Sequence, residues 1–246
     1  MGDQNNFDQE IDRIKKVYVE RDNRGLSRQY TYNNPAFIFH VQEREREILK
    51  VLRDNQFNLD GKKILEVGCG TGHILNRFLE FGAKDVWGIE LIKKRVVEAQ
   101  QLYPRIHITE GDASHLPYEN NSFDLVMQFM CLSSVLDQAM RYKIALEMWR
   151  VLKPGGAVLW YDLCPLLKPL EGTIQFYNHR ALSTPIRKIP LNEVNNLFPN
   201  GISWHKKVSL ILKLGNLSSK SYLLSYLFSL CPIFRTHYLV FIKKPN

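Results

Sequence analysis

The chain has 246 residues, enough for one large domain or one domain with appendages. Hydrophobic residues at 45% and charged residues at 24% match globular averages, which excludes disordered, collagen-like and low-complexity classes. The net charge of +8 is uneven: from Lys168 onward 11 Lys and Arg face two acidic residues, Glu171 and Glu193, while the preceding 167 residues carry 22 basic and 23 acidic ones. That basic third is either a solvated surface or a face that attracts an anionic substrate, a nucleic acid or a membrane. No run reaches the ~18 apolar residues of a membrane-spanning helix. The N-terminus lacks a basic-then-apolar signal, and Asn6 breaks the myristoylation pattern. Cys69, Cys131, Cys164 and Cys231 show no CxxC or zinc-type spacing, so a reducing, cytoplasmic setting with no disulfide framework and no metal is expected.

In chain order, residues 8–20 and 36–55 carry helical periodicity, the second with Phe37, Val41, Ile48, Val51 and Leu52 on one face and a mostly solvated Glu43–Glu47 charge run. Tyr30–Pro35 between them is turn-rich. Short apolar runs then alternate with helices. Strands are expected at Lys62–Val67, Asp85–Glu90, Arg105–Thr109, Phe123–Phe129 and Ala157–Asp162, with helices at His73–Phe81, Ile92–Tyr103 and 134–152. The last of these helices stops at the Lys153–Gly156 turn. This alternation indicates βαβ units and a parallel sheet covered on both faces. Beyond Asp162 the pattern is irregular, with a short helix at 190–198, a strand at 202–211, an apolar helix at about 218–230 and a terminal strand at 237–243.

Ile64–Gly72 reads as a strand, a Gly-rich turn and a helix, the place where open α/β sheets bind ligands. The glycines are spaced G-x-G-x-G, with His73 where a dinucleotide fingerprint needs its last glycine, and the G-K-[ST] of a Walker loop is absent. Glu66 at the strand end suits a cation such as an amino group or sulfonium, not a phosphate. Gly88-Ile89-Glu90-Leu91 places a second carboxylate at the end of a strand. Gly111-Asp112-Ala113 with Leu116-Pro117, Phe123–Val126 and Leu152–Gly156 complete the set.

Together these segments, over residues 60–162, resemble the class I S-adenosylmethionine (SAM)-dependent methyltransferases, of the small-molecule "methyltransferase 11"-like type. The resemblance implies an α/β, Rossmann-like, seven-stranded and mostly parallel sheet of order 3-2-1-4-5-7-6, its last strand antiparallel. It also implies helices on both faces and a helical N-terminal cap. One domain over 1–246 would comprise the cap (1–60), a SAM-binding core (61–162) and acceptor-side and C-terminal strands (163–246) with the inserted apolar helix. The implied cofactor is SAM, released as S-adenosylhomocysteine. Its expected contacts are Glu66, Gly68, Cys69, Gly70, Gly72, Glu90, Leu91, Asp112, Ala113 and Gln128, with Tyr32 closing over it from the cap.

Methyl transfer from a sulfonium is an in-line displacement that needs alignment, water exclusion and, for an oxygen nucleophile, a base. The best candidate base is His179, since an imidazole titrates near neutrality; Asp162 is the second. The [DNS]-P-P-[YFW] motif of amino-methylating DNA enzymes and the Pro-Cys of base-carbon methylases are absent, and Cys131 reads as a core residue. Residues 178–198 and 234–240 show a looser similarity to stand-alone methyltransferases near bacterial glycan or secondary-metabolite pathways. That points to O-methylation of a sugar or other small hydroxylated acceptor, anionic or lipid-linked. An RNA or protein methyltransferase using the basic third, and a non-catalytic SAM-fold platform, are the alternatives. Residues 218–230 suit a buried helix, a pocket wall, a dimer face or a contact with anionic lipid.

Overall fold

The computed structural model describes residues 2–24, 34–165, 185–211, 214 and 221–246. Its elements are α1 (Gly2–Asn23), α2 (Pro35–Asp54), β1 (Lys63–Val67), α3 (His73–Glu80), β2 (Asp85–Glu90), α4 (Lys93–Leu102), β3 (His107–Glu110), β4 (Phe123–Phe129), α5 (Gln138–Val151), β5 (Leu152–Leu163), α6 (Leu191–Leu197), β6 (Ile202–Leu210), α7 (Tyr222–Ser229) and β7 (Arg235–Lys243). The strands form one seven-stranded sheet of order 3-2-1-4-5-7-6. Neighbours among β1–β5 pair in parallel, and β7 runs antiparallel to both β5 and β6. The expected fold and strand order are those found.

Strand alternation explains the two cores. Leu65, Val126, Val158 and Trp160 face one core with residues of α1, α5 and α6. Ile64, Leu125, Leu159 and Tyr161 face the other, with α2, α3 and α4. Because both faces are covered, the strands read as near-continuous apolar runs.

Three expectations are corrected. The Lys153–Gly156 turn lies inside β5, not before it: Phe123 pairs with Leu152 and Leu125 with Ala157, so Asp124 alone faces four looped-out residues. The Glu43–Glu47 run is not mostly solvated. Glu43 is 1% and Glu47 7% exposed, because these two carboxylates, one turn apart, face the sheet. Glu43 accepts the Leu210 N–H at 3.0 Å and Glu47 the Lys206 ammonium at 2.6 Å, docking α2 on β6. Finally, the apolar segment between β6 and β7 is not a buried helix: α7 buries only Ser225 and Ser229.

Candidate functional site

The carboxyl ends of β1, β2, β3 and β4 open on a cavity of about 580 Å³. The turn after β1 forms its floor. Gly68 and Cys69 both donate their N–H to the Ile89 carbonyl, at 2.9 and 3.1 Å, which ties this turn to β2. Glu90 at the end of β2 accepts the Gly70 N–H at 2.8 Å on one oxygen and the Ile92 N–H at 3.0 Å on the other. Those two bonds orient the carboxylate and leave each oxygen a free lone pair. Gly70 has φ +56°, and a Cβ there would meet nothing within 4 Å, so the backbone is bare toward the cavity. Gly68 is different: its Cβ would stand 2.5 Å from Cys131 Sγ.

Glu66 is the feature the ordinary rules of burial do not explain. It is 2% exposed, lines the cavity, and its Oε2 has no hydrogen-bond partner. Burial pushes its carboxyl well above the usual range, aided by the Glu90 charge and opposed by Arg44. An isolated buried carboxylate is costly unless something cationic or donating meets it.

The remaining wall comes from α1. Ile14, Tyr18 and Asp22 stand one turn apart and all line the cavity. Glu10 accepts the N–H groups of Leu136 and Asp137. Burial opposes its charge, yet Arg13 and these backbone donors hold its carboxyl below the usual value. Arg13 also donates to the Ser134 carbonyl at 2.6 Å, and the Tyr18 hydroxyl shares a hydrogen bond with Ser134 Oγ at 2.7 Å. Arg95 of α4 pairs with Asp22 at 2.8 Å and lies over the Tyr18 ring, 4.6 Å from its centroid.

Of the residues expected from sequence, Glu66, Gly68, Cys69, Gly70, Glu90, Leu91, Asp112 and Ala113 all line this one cavity. Gly72 and Gln128 are not among the lining residues. Gly72 opens α3 at φ +76° with Ile108 where a side chain would go, a packing role. Gln128 is buried, and its carbonyl oxygen accepts the N–H groups of Cys131 and Leu132, at 3.0 and 3.3 Å, bracing the loop after β4. Asp162 likewise lies behind the wall: it accepts the Ser133 N–H at 3.0 Å and the Leu163 N–H at 2.8 Å. Burial raises its carboxyl from 3.8 to about 6. Tyr32 and His179 fall outside the described residues. Ile14, Tyr18, Asp22 and Arg95 were missed; the four-residue spacing of the first three marked one face of a helix but not what that face met.

Residues 64–156 match the model of a methyltransferase domain. A phthiotriol/phenolphthiotriol dimycocerosates methyltransferase of Mycobacterium leprae is 35% identical over 153 residues, covering 59% of this chain and 54% of that protein. A ubiquinone/menaquinone biosynthesis C-methyltransferase, UbiE, of Neisseria meningitidis is 30% identical over 131 residues, 50% of this chain and 51% of that protein. The chain thus spans about half the length of the curated relatives it matches. Among solved structures, a SAM-dependent methyltransferase of Methanosarcina mazei superposes with a TM-score of 0.60 at 19% identity, covering 79% of this chain and 97% of that one.

Over residues 64–156 this chain is similar to methyltransferase domains, and its fold is that of a solved SAM-dependent methyltransferase.

The similarity implies SAM as the cofactor, and the residues of this cavity fit it. The orphaned Glu66 oxygen supplies an anion for a ligand with an ammonium and a sulfonium. The oriented Glu90 carboxylate has lone pairs for a ribose diol, and the bare backbone at Gly70 admits a ligand at contact distance. Burial and the surrounding carboxylates push the Cys131 thiol far up, which disfavours the thiolate that a nucleophilic role needs.

Beyond Phe129 and His73 on the cavity wall lies a second polar cluster. Tyr161 stacks on Phe129 at 5.5 Å, and the Arg44 guanidinium lies over both rings, at 5.7 and 5.9 Å. The Tyr161 hydroxyl hydrogen-bonds His40 Nε2 at 2.9 Å and Ser209 Oγ at 2.7 Å, and His237 stacks on its ring at 4.6 Å. Burial and Arg44 hold His40 down at about 3, so its imidazole is neutral.

Proposed function

We propose that this protein moves the methyl group of SAM to a hydroxyl of a small or glycan acceptor carried on a lipid. The observation that carries methyl transfer from SAM is the buried Glu66 carboxylate, its Oε2 without a hydrogen-bond partner, on the wall of a cavity shared with Glu90 and Asp112. Bound there, SAM supplies an electrophilic methyl on a cationic sulfur. In the displacement the acceptor oxygen–carbon bond forms as the sulfur–carbon bond breaks, sulfur leaves as a neutral thioether, and the hydroxyl proton passes to a base. The chain's part is to align the two reactants, worth roughly 7–11 kcal/mol where geometry is good, and to keep water out. The α1 wall, pinned through Glu10, Arg13 and Tyr18, serves the second end.

For the proton, His179 remains the candidate from sequence. His73 joins it, because it lines the cavity, and burial with the nearby Arg44 lowers its affinity for a proton and leaves the imidazole neutral. Asp162 enters as a positioning residue that fixes Ser133 and the loop after β4. The lipid-linked acceptor draws support from the names of the relatives, one acting on phthiotriol dimycocerosates and one in ubiquinone/menaquinone biosynthesis. The second of these is a C-methyltransferase, so the attacking atom is the part to test first.

The test is transfer of labelled methyl from SAM into a host extract split into metabolite, lipid, RNA and protein fractions, with mass spectrometry of the labelled product. Label as a methyl ether in the lipid fraction supports the proposal. Label on a ring carbon overturns the hydroxyl assignment, and label in RNA or protein favours those acceptor classes instead.

A further inference from the structure

Helix α7 is built inside out. None of its eight residues, Tyr222–Ser229, is charged, and the side chains it buries are Ser225 and Ser229, one turn apart. Leu223, Leu224, Tyr226, Leu227 and, just beyond its end, Leu230 face outward, Leu223 at 66% exposure. A surface helix ordinarily buries the apolar stripe and exposes the serines, and a contiguous apolar patch of this kind marks an interaction surface. We propose that α7 docks this protein on an anionic membrane surface, with the outward Leu and Tyr side chains in the headgroup and acyl boundary. The inference rests on the lipid-linked acceptor proposed above and assigns it a route of delivery.

Charge complementarity selects the occupant. The chain from Lys168 onward is strongly basic, and Lys213 and Lys220 lie in the sequence between β6 and α7. From Val194 onward the chain carries seven Lys and Arg and no acidic residue; Glu47 of α2 holds one of them, Lys206, at 2.6 Å and Glu43 lies 3.8 Å from Arg235, which leaves this region a net positive charge. An uncharged Leu/Tyr helix in a basic setting is the pattern of peripheral helices attracted to anionic lipid. A second copy of the chain would place two such basic regions against each other, which electrostatics opposes. Among the described residues no helix is long and apolar enough to cross a membrane, so the contact is superficial. Position supports the role. The Tyr222 hydroxyl donates to Gln42 at 2.7 Å and its ring meets the edge of Phe39 at 5.1 Å. Phe39 adjoins His40, a member of the polar cluster beside the cavity, so the apolar face and the acceptor side share one end of the molecule.

The experiment is sedimentation of the full chain with vesicles of phosphatidylcholine alone and of phosphatidylcholine mixed with phosphatidylglycerol. Binding to the anionic vesicles that weakens with salt is expected. The double variant Leu223→Glu, Leu227→Glu should lower it by about a hundredfold through the loss of two inserted leucines. The milder Leu223→Ser, Leu227→Ser pair is run beside it, and a thermal melt and SAM affinity matching wild type show that the fold is kept. Equal binding by wild type and folded variants overturns the assignment. So does a wild type that ignores vesicles, including one that is a dimer the variants make monomeric. Methyl transfer to acceptor in detergent is read separately. Transfer without vesicle binding removes only the docking role, and vesicle binding without transfer removes only the acceptor class.

Discussion

Glu66, Gly70 and Asp162 divide the work of the site at the residue scale. Glu66→Gln keeps the shape and removes the charge, so SAM affinity should fall by about 2 kcal/mol, some thirtyfold, the worth of a hydrogen bond to an ionised partner. Burial raises the Glu66 carboxyl, so its ionised form appears only as pH rises; SAM association should strengthen over that range in the wild type and stay flat in Glu66→Gln. Gly70→Ala puts a methyl into the cavity at φ +56°, costing about 1 kcal/mol of stability while lowering SAM affinity more. In Gly68→Val the new Cβ strikes Cys131, so its melting temperature and its affinity should fall together. Asp162 tests linkage. Its folded value is raised from 3.8 to about 6, so the stability it contributes is present below 3.8 and is lost as pH rises through about 6. Asp162→Asn is less stable at low pH because one backbone N–H loses its acceptor. The gap to wild type should narrow as pH climbs from 4 to 7, which melting curves of the two proteins would show; a constant gap would mean that Asp162 is not the titrating group.

At the scale of elements, α1 and α2 are held by carboxylates that sequence alone does not distinguish from solvated ones. Glu10 on α1 bonds two backbone N–H groups in the loop after β4, a contact between residues 126 and 127 positions apart. Glu10→Ala should cost about 2 kcal/mol and weaken SAM binding without touching the cavity, as thermal melts and calorimetry on one preparation would show. An unchanged SAM affinity would mean that α1 is not needed to close the site. The Gly-rich turn and the acid at the end of β1 were legible because their chemistry is local, residue type and spacing deciding what a strand-turn-helix can bind, while the acid at the end of β2 was legible through the family resemblance. The facing of Glu43 and Glu47 was not, since a charged i,i+4 pair looks the same whether it meets water or the Leu210 N–H and the Lys206 ammonium. Tyr18 was hidden for the same reason, its role being set by where α1 docks.

Over the whole molecule, the parallel strands and the two-sided core follow from alternating apolar runs and helices, a pattern plain in the chain, whereas the order 3-2-1-4-5-7-6 was legible only through the family resemblance. The C-terminal third departs from it. Its charge was legible, but the inverted facing of α7 depends on packing that no periodicity reports, since a helix apolar nearly all round has no preferred face. That region and the cavity meet at the polar cluster of His40, Tyr161 and Arg44, which puts the proposed acceptor side and the membrane-facing helix on one end of the sheet.

Calorimetric titration of SAM into wild type, Glu66→Gln and Gly70→Ala tests the central claim most directly. One site per chain in the wild type, weakened in both variants with their melts showing intact folds, is the predicted result. No binding by the wild type, or equal affinity in all three proteins, would contradict the placement of SAM against Glu66 and the bare turn at Gly70.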